Sequence, residues 1–316
     1  MNAMTKTEKS LPYVCISGGS GLLGRALTAN LVAKDYRPII LTRSQPAVSS
    51  ERIILRTDYS GSSLRQILEP YRGRIAAFVH LAGDRSPRRE AGQLIEAVRL
   101  MEELVALGKE GFFARLLLAS SISVYGHPAA PIPWSEEVVP KPVSGYALEK
   151  LFCEQAGAVF ADQELPFAAL RFTHLFGPME RNNYMINLFM RQAYNREPLR
   201  VDVPAPAERE FLYTGDCAEA IARAIGAPLE YSVYNIGSGE TLTNVQVAET
   251  INRVFANPHD VVYHETETVS TQHSSCLDSG RALKAFGDYR SGGFATHMEE
   301  IYALMRSSGE TFPIRY

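Results

Sequence analysis

The stretch Ser17-Gly18-Gly19-Ser20-Gly21-Leu22-Leu23-Gly24 decides the fold, because it places glycines three residues apart between a β-rich run and a helical pattern. Glycine permits a tight turn and lets a pyrophosphate approach the backbone, and the last glycine allows close helix packing. The helix N-terminus then offers free N–H groups and the positive end of its dipole to phosphates. This strand-turn-helix context predicts a dinucleotide site, with a plain glycine-rich turn as the alternative. The residues expected to contact the cofactor here are Gly18, Gly21, Leu22, Leu23 and Gly24.

Short apolar runs alternate with amphipathic helical patterns along the first half of the chain. Continuous apolar strands bounded by helices are typical of a parallel sheet that is covered on both faces, and the alternation predicts right-handed βαβ crossovers. We therefore predict an α/β fold with a doubly wound parallel sheet, the Rossmann fold. The predicted strands cover residues 13–16, 38–41, 52–55, 76–81, 115–119 and 167–172.

The pattern loosens after Gly177, which predicts a smaller α/β lobe that binds the substrate. Segments at about residues 210–236 are expected to return to the first domain. Residues 199–210 contain two prolines, so we predict irregular or edge-strand structure there. The predicted boundaries are 1–177 for the dinucleotide-binding domain, including a disordered tail at 1–10, and 178–316 for most of the second lobe.

The composition excludes several classes of protein. The chain has 316 residues, 46% of them hydrophobic, which is enough to bury a large core. The formal net charge of −3 argues against a nucleic-acid or membrane-surface protein, and no apolar run reaches the roughly 18 residues that span a bilayer. The polar first residues lack an apolar signal core. Four widely separated cysteines offer no zinc knuckle and no dense disulfide framework, so we expect a reduced, cytoplasmic protein without a metal site.

The end of the second predicted strand, Thr42-Arg43-Ser44, distinguishes between the two nicotinamide cofactors. An acidic residue about 20 positions beyond the glycine motif would bind the ribose 2′-hydroxyl of NAD, and this strand end has none. A guanidinium and two hydroxyls suit a 2′-phosphate, since Arg makes forked hydrogen bonds to phosphate oxygens. We therefore predict NADP as the cofactor; the alternative is that Arg43 stacks on the adenine or points to water.

Two further strand ends are candidates for the cofactor site. Asp58 follows the third predicted strand as a candidate acceptor for the adenine amino group, or else as a turn former. The fourth predicted strand ends in His80, which we interpret as a packed, hydrogen-bonded side chain rather than a catalyst. Small residues beyond it leave room for the cofactor beside the strand, and the expected contacts are Leu81, Ala82 and Gly83.

Ser121, Tyr146 and Lys150 are the candidate reacting groups. The separation of four between Tyr146 and Lys150 places both on one face of a helix predicted at residues 146–161. The ammonium favours the phenolate form of the tyrosine, which then exchanges a proton with a substrate hydroxyl while hydride moves to the cofactor. Ser121 follows the fifth predicted strand, at the carboxyl edge where open α/β sheets bind ligands. Tyr-x-x-x-Lys alone is common on helix surfaces, and the glycine turn and Ser121 make it specific.

Several motifs lie between about residues 13 and 305, and their order and spacing make them specific as a set. They are Gly18-Gly-Ser-Gly-Leu-Leu-Gly24, His80-Leu-Ala-Gly83, Ser120-Ser-Ile-Ser-Val-Tyr-Gly126, Tyr146-Ala-Leu-Glu-Lys150, Leu170-Arg-Phe-Thr-His-Leu-Phe-Gly-Pro178, Arg209-Glu-Phe-Leu-Tyr-Thr-Gly-Asp216 and Tyr234-Asn-Ile-Gly-Ser-Gly239. The sequence thereby resembles the extended short-chain dehydrogenase/reductase family, the NAD(P)-dependent epimerase/dehydratases that act on nucleotide sugars. The resemblance implies an ordered set of Ser121, Tyr146 and Lys150, with the nicotinamide between the sheet and the second lobe.

Departures from the family pattern narrow the expected chemistry. Ser121 is followed by Ile122 and Ser123 rather than by the Asp-Glu pair of the family dehydratases, so dehydration is disfavoured. The helix at residues 95–103 lacks the Asn-x-x-Gly-Thr motif of the epimerases, and His174 replaces a family Asn. Arg209 matches the family Arg that binds the substrate diphosphate. The expected substrate-binding residues are Arg85, Ser123, His174 and Arg209; for both arginines the alternative is a solvated surface charge.

We predict an NADP-preferring epimerase or keto-reductase that acts on a nucleotide sugar. In this prediction Tyr146 is the acid/base, Lys150 its electrostatic partner and Ser121 a second donor to the substrate oxygen. One alternative is a reductase of a small non-nucleotide carbonyl compound. The other is a non-catalytic dinucleotide-binding sensor, which does not need Tyr146 and Lys150.

The resemblance also implies a homodimer. Family members commonly pair through the two helices expected here at about residues 92–107 and 146–161. Leu151, Phe152 and Val159 are candidate contacts, although packing in the core of one chain would explain them equally well.

Overall fold

An eight-stranded sheet forms the centre of the molecule. The computed structural model describes residues 11–44, 47–48, 51–83, 90–178, 180, 182–266 and 273–309. The strands are β1 (Tyr13–Ser17), β2 (Arg37–Thr42), β3 (Ala47–Val48), β4 (Ile53–Arg56), β5 (Ile75–His80), β6 (Leu116–Ser121), β7 (Phe167–Phe172), β8 (His174–Phe176), β9 (Arg200–Val203), β10 (Arg209–Tyr213), β11 (Val233–Ile236), β12 (Thr241–Leu242) and β13 (Val262–Glu265). The helices are α1 (Leu22–Ala33), α2 (Gly61–Leu68), α3 (Ala91–Lys109), α4 (Gly145–Ala161), α5 (Met185–Tyr194), α6 (Thr214–Gly226), α7 (Asn244–Val254), α8 (Gly280–Phe286) and α9 (Phe294–Ser308).

The main sheet has the strand order β11-β7-β6-β5-β1-β2-β4-β3 and is parallel except for the short edge strand β3. Side chains of β1 alternate between two hydrophobic cores. Val14 and Ile16 pack with α1, α6 and α8 on one face, and Tyr13 and Cys15 pack with α2, α3 and α4 on the other. Cores on both faces explain why these strands are continuously apolar in sequence. The predicted doubly wound parallel α/β fold is confirmed.

Strand β8, which precedes Gly177, and residues after Gly177 build a smaller lobe around a third core. β8, β10 and β12 form a three-stranded sheet, and β9 pairs in parallel with β13. Helices α5, α7 and α9 contribute their apolar faces to this core. The chain also rejoins the main sheet, because β11 pairs in parallel with β7 and α6 packs against α1. None of the helices in the described parts of the chain combines the length and apolar character that crossing a membrane needs.

The segment at residues 199–210 differs in part from the prediction. β9 is an edge strand, as expected, but Arg209 and Glu210 begin β10, the central strand of the three-stranded sheet. The carboxylate of Glu210 is buried and accepts hydrogen bonds from the backbone N–H groups of Gly239 (2.7 Å) and Leu277 (2.9 Å). These partners are distant in sequence, so the local proline content did not reveal that a strand begins here.

Candidate active site

A cleft of about 1090 Å³ opens at the carboxyl ends of the central strands. This is the edge at which open α/β sheets bind their ligands. Residues of α3 and α4, among them Leu100, Glu149 and Cys153, line the opposite side. The cleft brings together these residues predicted from sequence: Gly18, Thr42, Arg43, Ser44, Asp58, Ala82, Gly83 and Lys150.

The glycine turn is sterically possible only without side chains at two positions. Gly18 has a φ of +75°, and a Cβ on it would lie 2.7 Å from the amide nitrogen of Ala82. A Cβ on Gly24 would overlap the carbonyl oxygen of Gly18. Gly21 is exposed, whereas the side chain of Leu23 packs in the core. The turn therefore offers backbone rather than side chains to a ligand.

Two other predicted cofactor residues are partly buried. Leu22 is partly buried at the first position of α1, and Leu81 packs against the core beneath β1 and α1.

The end of β2 presents a cation at the cleft. Arg43 is exposed, and its guanidinium carbon lies 5.7 Å from the centroid of the Tyr59 ring. The hydroxyl of Thr42 accepts a hydrogen bond from the backbone N–H of Ser44 at 3.0 Å, which closes the turn after the strand. An arginine thus stands at the strand end where dinucleotide-binding folds hold the adenosine ribose.

Asp58 has the turn-forming contacts that the sequence allowed as an alternative. Its carboxylate accepts hydrogen bonds from the backbone N–H and the hydroxyl of Ser60, each at 2.8 Å. These bonds, the backbone one first, lower the pKa of Asp58. The side chain is exposed and lines the cleft, so forming the turn leaves it accessible to a ligand.

Tyr59 is a cleft residue that the sequence analysis did not predict. Its φ is +66°, a conformation that bulky side chains rarely adopt. Its hydroxyl donates to the carbonyl oxygen of Leu41 in β2 at 3.1 Å, and burial raises its pKa to about 12. The only signal in the sequence was its place directly after Asp58, at the end of a predicted strand.

The end of β5 is fixed by a buried hydrogen bond between Ser17 Oγ and His80 Nδ1, at 2.7 Å. Burial, and then the charge of Lys150, lower the pKa of His80 to about 3, so this imidazole is neutral. Ser17 Oγ also accepts the backbone N–H of Ala82 at 3.3 Å. These contacts agree with the interpretation of His80 as a packed, hydrogen-bonded side chain.

The candidate reacting groups lie where β6 meets α4. Lys150 is 5% exposed, and its Nζ donates to the carbonyl oxygen of Ala119 at 2.8 Å. The same nitrogen lies 5.8 Å from the centroid of the Tyr146 ring, and Tyr146 is half-buried near the start of α4. A Cβ on Gly83 would lie only 3.3 Å from Lys150 Nζ. The ammonium is thereby held between the phenol ring and the end of β5.

Ser121 ends β6 and caps the short 3₁₀ helix that follows. Its hydroxyl accepts the backbone N–H of Ser123 and donates to the Ser123 hydroxyl, both at 3.1 Å. Ser121 and Ser123 are both partly exposed.

A buried ion pair beneath these groups was not predicted. The guanidinium of Arg171 in β7 donates to the carboxylate of Glu154 in α4, with a shortest distance of 2.6 Å, and Ser120 also donates to this carboxylate. Burial disfavours the charge on Arg171, but the hydrogen bonds and charge of Glu154 raise its pKa. Glu154 follows Lys150 by four positions, and that spacing was the one available signal.

His174 and Arg209 share a second hollow, of about 370 Å³, in the smaller lobe. His174 Nε2 lies 3.3 Å from Ser275 Oγ, and burial, followed by the charge of Arg209, lowers the pKa of His174 to about 4. Arg209 donates to Asn244 Oδ1 at 2.5 Å. Its Nε–H is buried and has no hydrogen-bond partner among the described residues. Arg209 is therefore not the solvated charge that the sequence left open.

The predicted residue Arg85 lies outside the described residues. The helices expected at about 92–107 and 146–161 correspond to α3 and α4. Phe152 and Val159 on α4 are 41% and 70% exposed, whereas Leu151 packs inside against the cluster around Tyr125.

Comparisons with known proteins agree with this architecture. The model of the NAD dependent epimerase/dehydratase family matches residues 14–237. The crystal structure of UDP-N-acetylglucosamine 4-epimerase from Bacillus cereus is 33% identical, with a TM-score of 0.82 over 93% of this chain and 99% of that one. The dTDP-4-dehydro-6-deoxyglucose reductase of Escherichia coli is 24% identical over 87% of this chain and 91% of its own length.

The match to a curated relative from Bacillus subtilis (strain 168), the uncharacterized UDP-glucose epimerase YtcB, is shorter. It is 26% identical over 50% of this chain, and the chain spans half the length of that relative. The family model and the B. cereus structure nevertheless cover most of the chain. The chain therefore belongs to the NAD-dependent epimerase/dehydratase family of extended short-chain dehydrogenases/reductases and is an NAD(P)-dependent enzyme of that type.

Proposed function

We propose that this protein is an NADP-preferring epimerase or keto-reductase of a nucleotide sugar, with Tyr146, Lys150 and Ser121 as its reacting groups. The observation that carries the proposal is the buried Lys150 ammonium beside the Tyr146 ring, at the edge of the cleft that begins at Gly18. A dinucleotide-binding sensor would need the glycine turn but not this pair. The pair therefore favours catalysis.

The residues of the cleft fit a dinucleotide. A side chain at Gly18 would fill the space against Ala82, which supports a cradle for phosphates bound by backbone N–H groups. Arg43 at the end of β2 supports a 2′-phosphate, because a guanidinium matches phosphate geometry. Although the family is described by its NAD dependence, an exposed arginine at this strand end favours NADP for this chain. When bound, NADP supplies the hydride acceptor and donor at its nicotinamide.

Tyr146 exchanges the proton in this proposal. Its phenolate oxygen would accept the hydroxyl proton of a substrate alcohol as the carbon loses hydride to bound NADP and becomes a carbonyl, and it would return that proton when the carbonyl is reduced again. Lys150 stabilises the phenolate, and the Ala119 carbonyl holds its ammonium in position. The Ser121 hydroxyl turns from Ser123 to donate a hydrogen bond to the substrate oxygen.

A sugar linked to a diphosphate is the substrate class that the second hollow supports best. The buried Nε–H of Arg209 has no partner among the described residues, and a guanidinium in that state favours a phosphate ligand. His174, being neutral, adds a hydrogen-bonding group without a second positive charge. Ser123 lies in the short 3₁₀ helix that Ser121 caps, directly after β6, and is proposed, together with Arg85, to contact the sugar.

The two chemistries differ in what happens to the cofactor. An epimerase would keep the cofactor bound and return the hydride to the opposite face of the sugar, whereas a reductase would release the oxidised cofactor and bind a reduced one for each turnover. Relatives of both kinds, an epimerase and a reductase, support the pair of activities. A reductase of a small carbonyl compound is the alternative, and it would make no use of Arg209.

Saturation-transfer NMR of UDP-, GDP-, dTDP- and CDP-sugars with the NADP-loaded protein identifies the substrate class. We expect saturable binding of at least one of them, followed by turnover. Replacing Tyr146 by Phe should lower turnover about 10²- to 10⁴-fold, the usual contribution of a general acid/base. The dissociation constants for NADP and for the nucleotide sugar should stay within about twofold of the wild-type values.

Tyr263→Phe is the matched control, because this tyrosine is 49% exposed on β13, outside the residues assigned to the site. It should leave turnover unchanged. Undiminished turnover in Tyr146→Phe would remove the catalytic assignment. Binding of none of the sugars would favour the small carbonyl substrate instead.

We also propose that two copies of the chain pair through α3 and α4. The exposed Phe152 and Val159 are seven residues apart on α4 and therefore share a face. Ile95 on the neighbouring α3 is 52% exposed. An apolar face of this kind on two adjacent helices supports a dimer.

A further inference from the structure

The adenosine end of the cleft contains an aromatic side chain that the dinucleotide motif does not require. Tyr59 lines the cleft between the end of β2 and the start of α2. Its backbone has a φ of +66°, which costs free energy in a residue that carries a large side chain. Its N–H donates to the hydroxyl of Thr57 at 2.9 Å, which holds the backbone in this conformation.

The tyrosine ring is anchored to β2. Its hydroxyl donates to the carbonyl oxygen of Leu41 at 3.1 Å. The ring is thus fixed to β2, the strand that ends directly before Arg43. Arg43 lies two residues after Leu41, whose carbonyl oxygen accepts the hydrogen bond from the Tyr59 hydroxyl.

The guanidinium of Arg43 lies over this anchored ring, with 5.7 Å between its carbon and the ring centroid. This distance is within the range of about 6 Å for a cation–π contact. An exposed arginine otherwise has many rotamers, and fixing one of them costs conformational entropy. A ring that already restricts these rotamers lowers the entropy lost when the guanidinium binds an anion.

We propose that Tyr59 is a positioning residue that holds Arg43 at the 2′-position of the adenosine ribose and so increases the preference for NADP over NAD. The inference rests on the proposed NADP preference of Arg43. It assigns to Tyr59 an effect on the 2′-phosphate alone, since the rest of the two cofactors is identical. A tyrosine that merely forms part of the cleft floor would affect both cofactors equally.

Isothermal titration of the purified protein with NADPH and with NADH tests this assignment. Tyr59→Leu removes the ring and should weaken NADPH binding about two- to fivefold more than NADH binding, the range expected for an exposed cation–π contact. Tyr59→Phe keeps the ring but loses its hydrogen bond to Leu41, so it should change the ratio of the two dissociation constants by less than Tyr59→Leu does. Once Arg43 is replaced by Ala, adding Tyr59→Leu should not change the ratio further, because the two residues act through one contact.

The controls separate this inference from the one on which it rests. If Arg43→Ala weakens NADPH selectively but Tyr59→Leu weakens both cofactors equally, the positioning role is wrong and the NADP preference stands. If Arg43→Ala weakens both equally, the NADP preference itself fails, and the role of Tyr59 fails with it. Should Tyr59→Leu yield too little folded protein, Tyr59→Asn makes the same comparison, because Asn tolerates a positive φ better than other side chains do.

Discussion

At the scale of single residues, a buried histidine links the smaller lobe to the helix that rejoins the main sheet. His297 of α9 is 2% exposed, and its Nε2 lies 3.2 Å from a carboxylate oxygen of Asp216 at the start of α6. Its Nδ1 lies 3.6 Å from Glu300, and the ring of Tyr213 stacks on it at 4.2 Å. Burial alone would lower the pKa of His297, but Asp216 and then Glu300 outweigh it, and the pKa is raised.

The raised pKa predicts that the protein loses stability as the pH rises. The folded state holds the proton of His297 more tightly than the unfolded state, whose histidines titrate near pH ~6.5. The extra stability is therefore fully present below the unfolded pKa and is lost as the pH rises through the folded pKa. Between about pH 6 and about pH 8.5, the free energy of unfolding in urea should fall more for the wild type than for His297→Gln. His259→Gln, at an exposed histidine, should behave like the wild type; equal losses in His297→Gln and the wild type would contradict the prediction.

At the scale of elements, α4 is docked on the sheet through side chains spaced four residues apart. Lys150 donates to the Ala119 carbonyl, and Glu154 accepts from Ser120 and Arg171. Ser120 and Arg171 are register partners in β6 and β7. One buried carboxylate therefore joins the helix that carries Tyr146 to the seam between two strands.

Breaking this ion pair from one side should destabilise the fold strongly. Arg171 and Glu154 are 3% and 1% exposed, so removing one leaves an uncompensated buried charge, which costs about 3–5 kcal/mol. Glu154→Leu and Arg171→Met should each lower the free energy of unfolding in urea by about that amount. The double variant should lose much less than the sum, because an apolar pair of similar volume is tolerated there.

Glu219→Leu is the control for this cycle. Its partners Lys34 and Arg223 are partly exposed, so its loss should cost under about 1 kcal/mol. Additive losses from the two buried substitutions would show that they do not act as a pair.

The same elements show what could be predicted from sequence. Arg43, Lys150 and the glycine turn follow strand ends or helical spacing, which are local patterns, and the cleft contains them all. Tyr59 and Glu154 act through Leu41 and Arg171, residues 18 and 17 positions away, and no local pattern announces such pairs. The strand that carries Arg209 was hidden for the same reason, because Glu210 stabilises it through Gly239 and Leu277.

At the scale of the whole molecule, the two faces of α4 have different roles. One face holds Lys150, Cys153 and Glu154 against the sheet, where all are buried. The other exposes Phe152 and Val159, and α3, which packs against α4, exposes Ile95. In the proposed dimer these side chains would be buried, and the outer face of α4 would be fixed against the partner. The inner face of α4 carries Lys150, so assembly and catalysis would depend on the same helix.

Introducing charge on this face should separate the proposed dimer. Val159→Asp places a carboxylate where the partner helix would pack, and a central contact of this kind costs about 2 kcal/mol or more, which is roughly a 30-fold weaker dimer. Sedimentation equilibrium at micromolar concentration should then show a shift from dimer to monomer, strengthened by adding Phe152→Asp. Leu304→Asp on α9, where the side chain is 46% exposed, should leave the mass unchanged. A wild type that sediments as a monomer, or a dimer that survives both substitutions, would exclude this face as the interface.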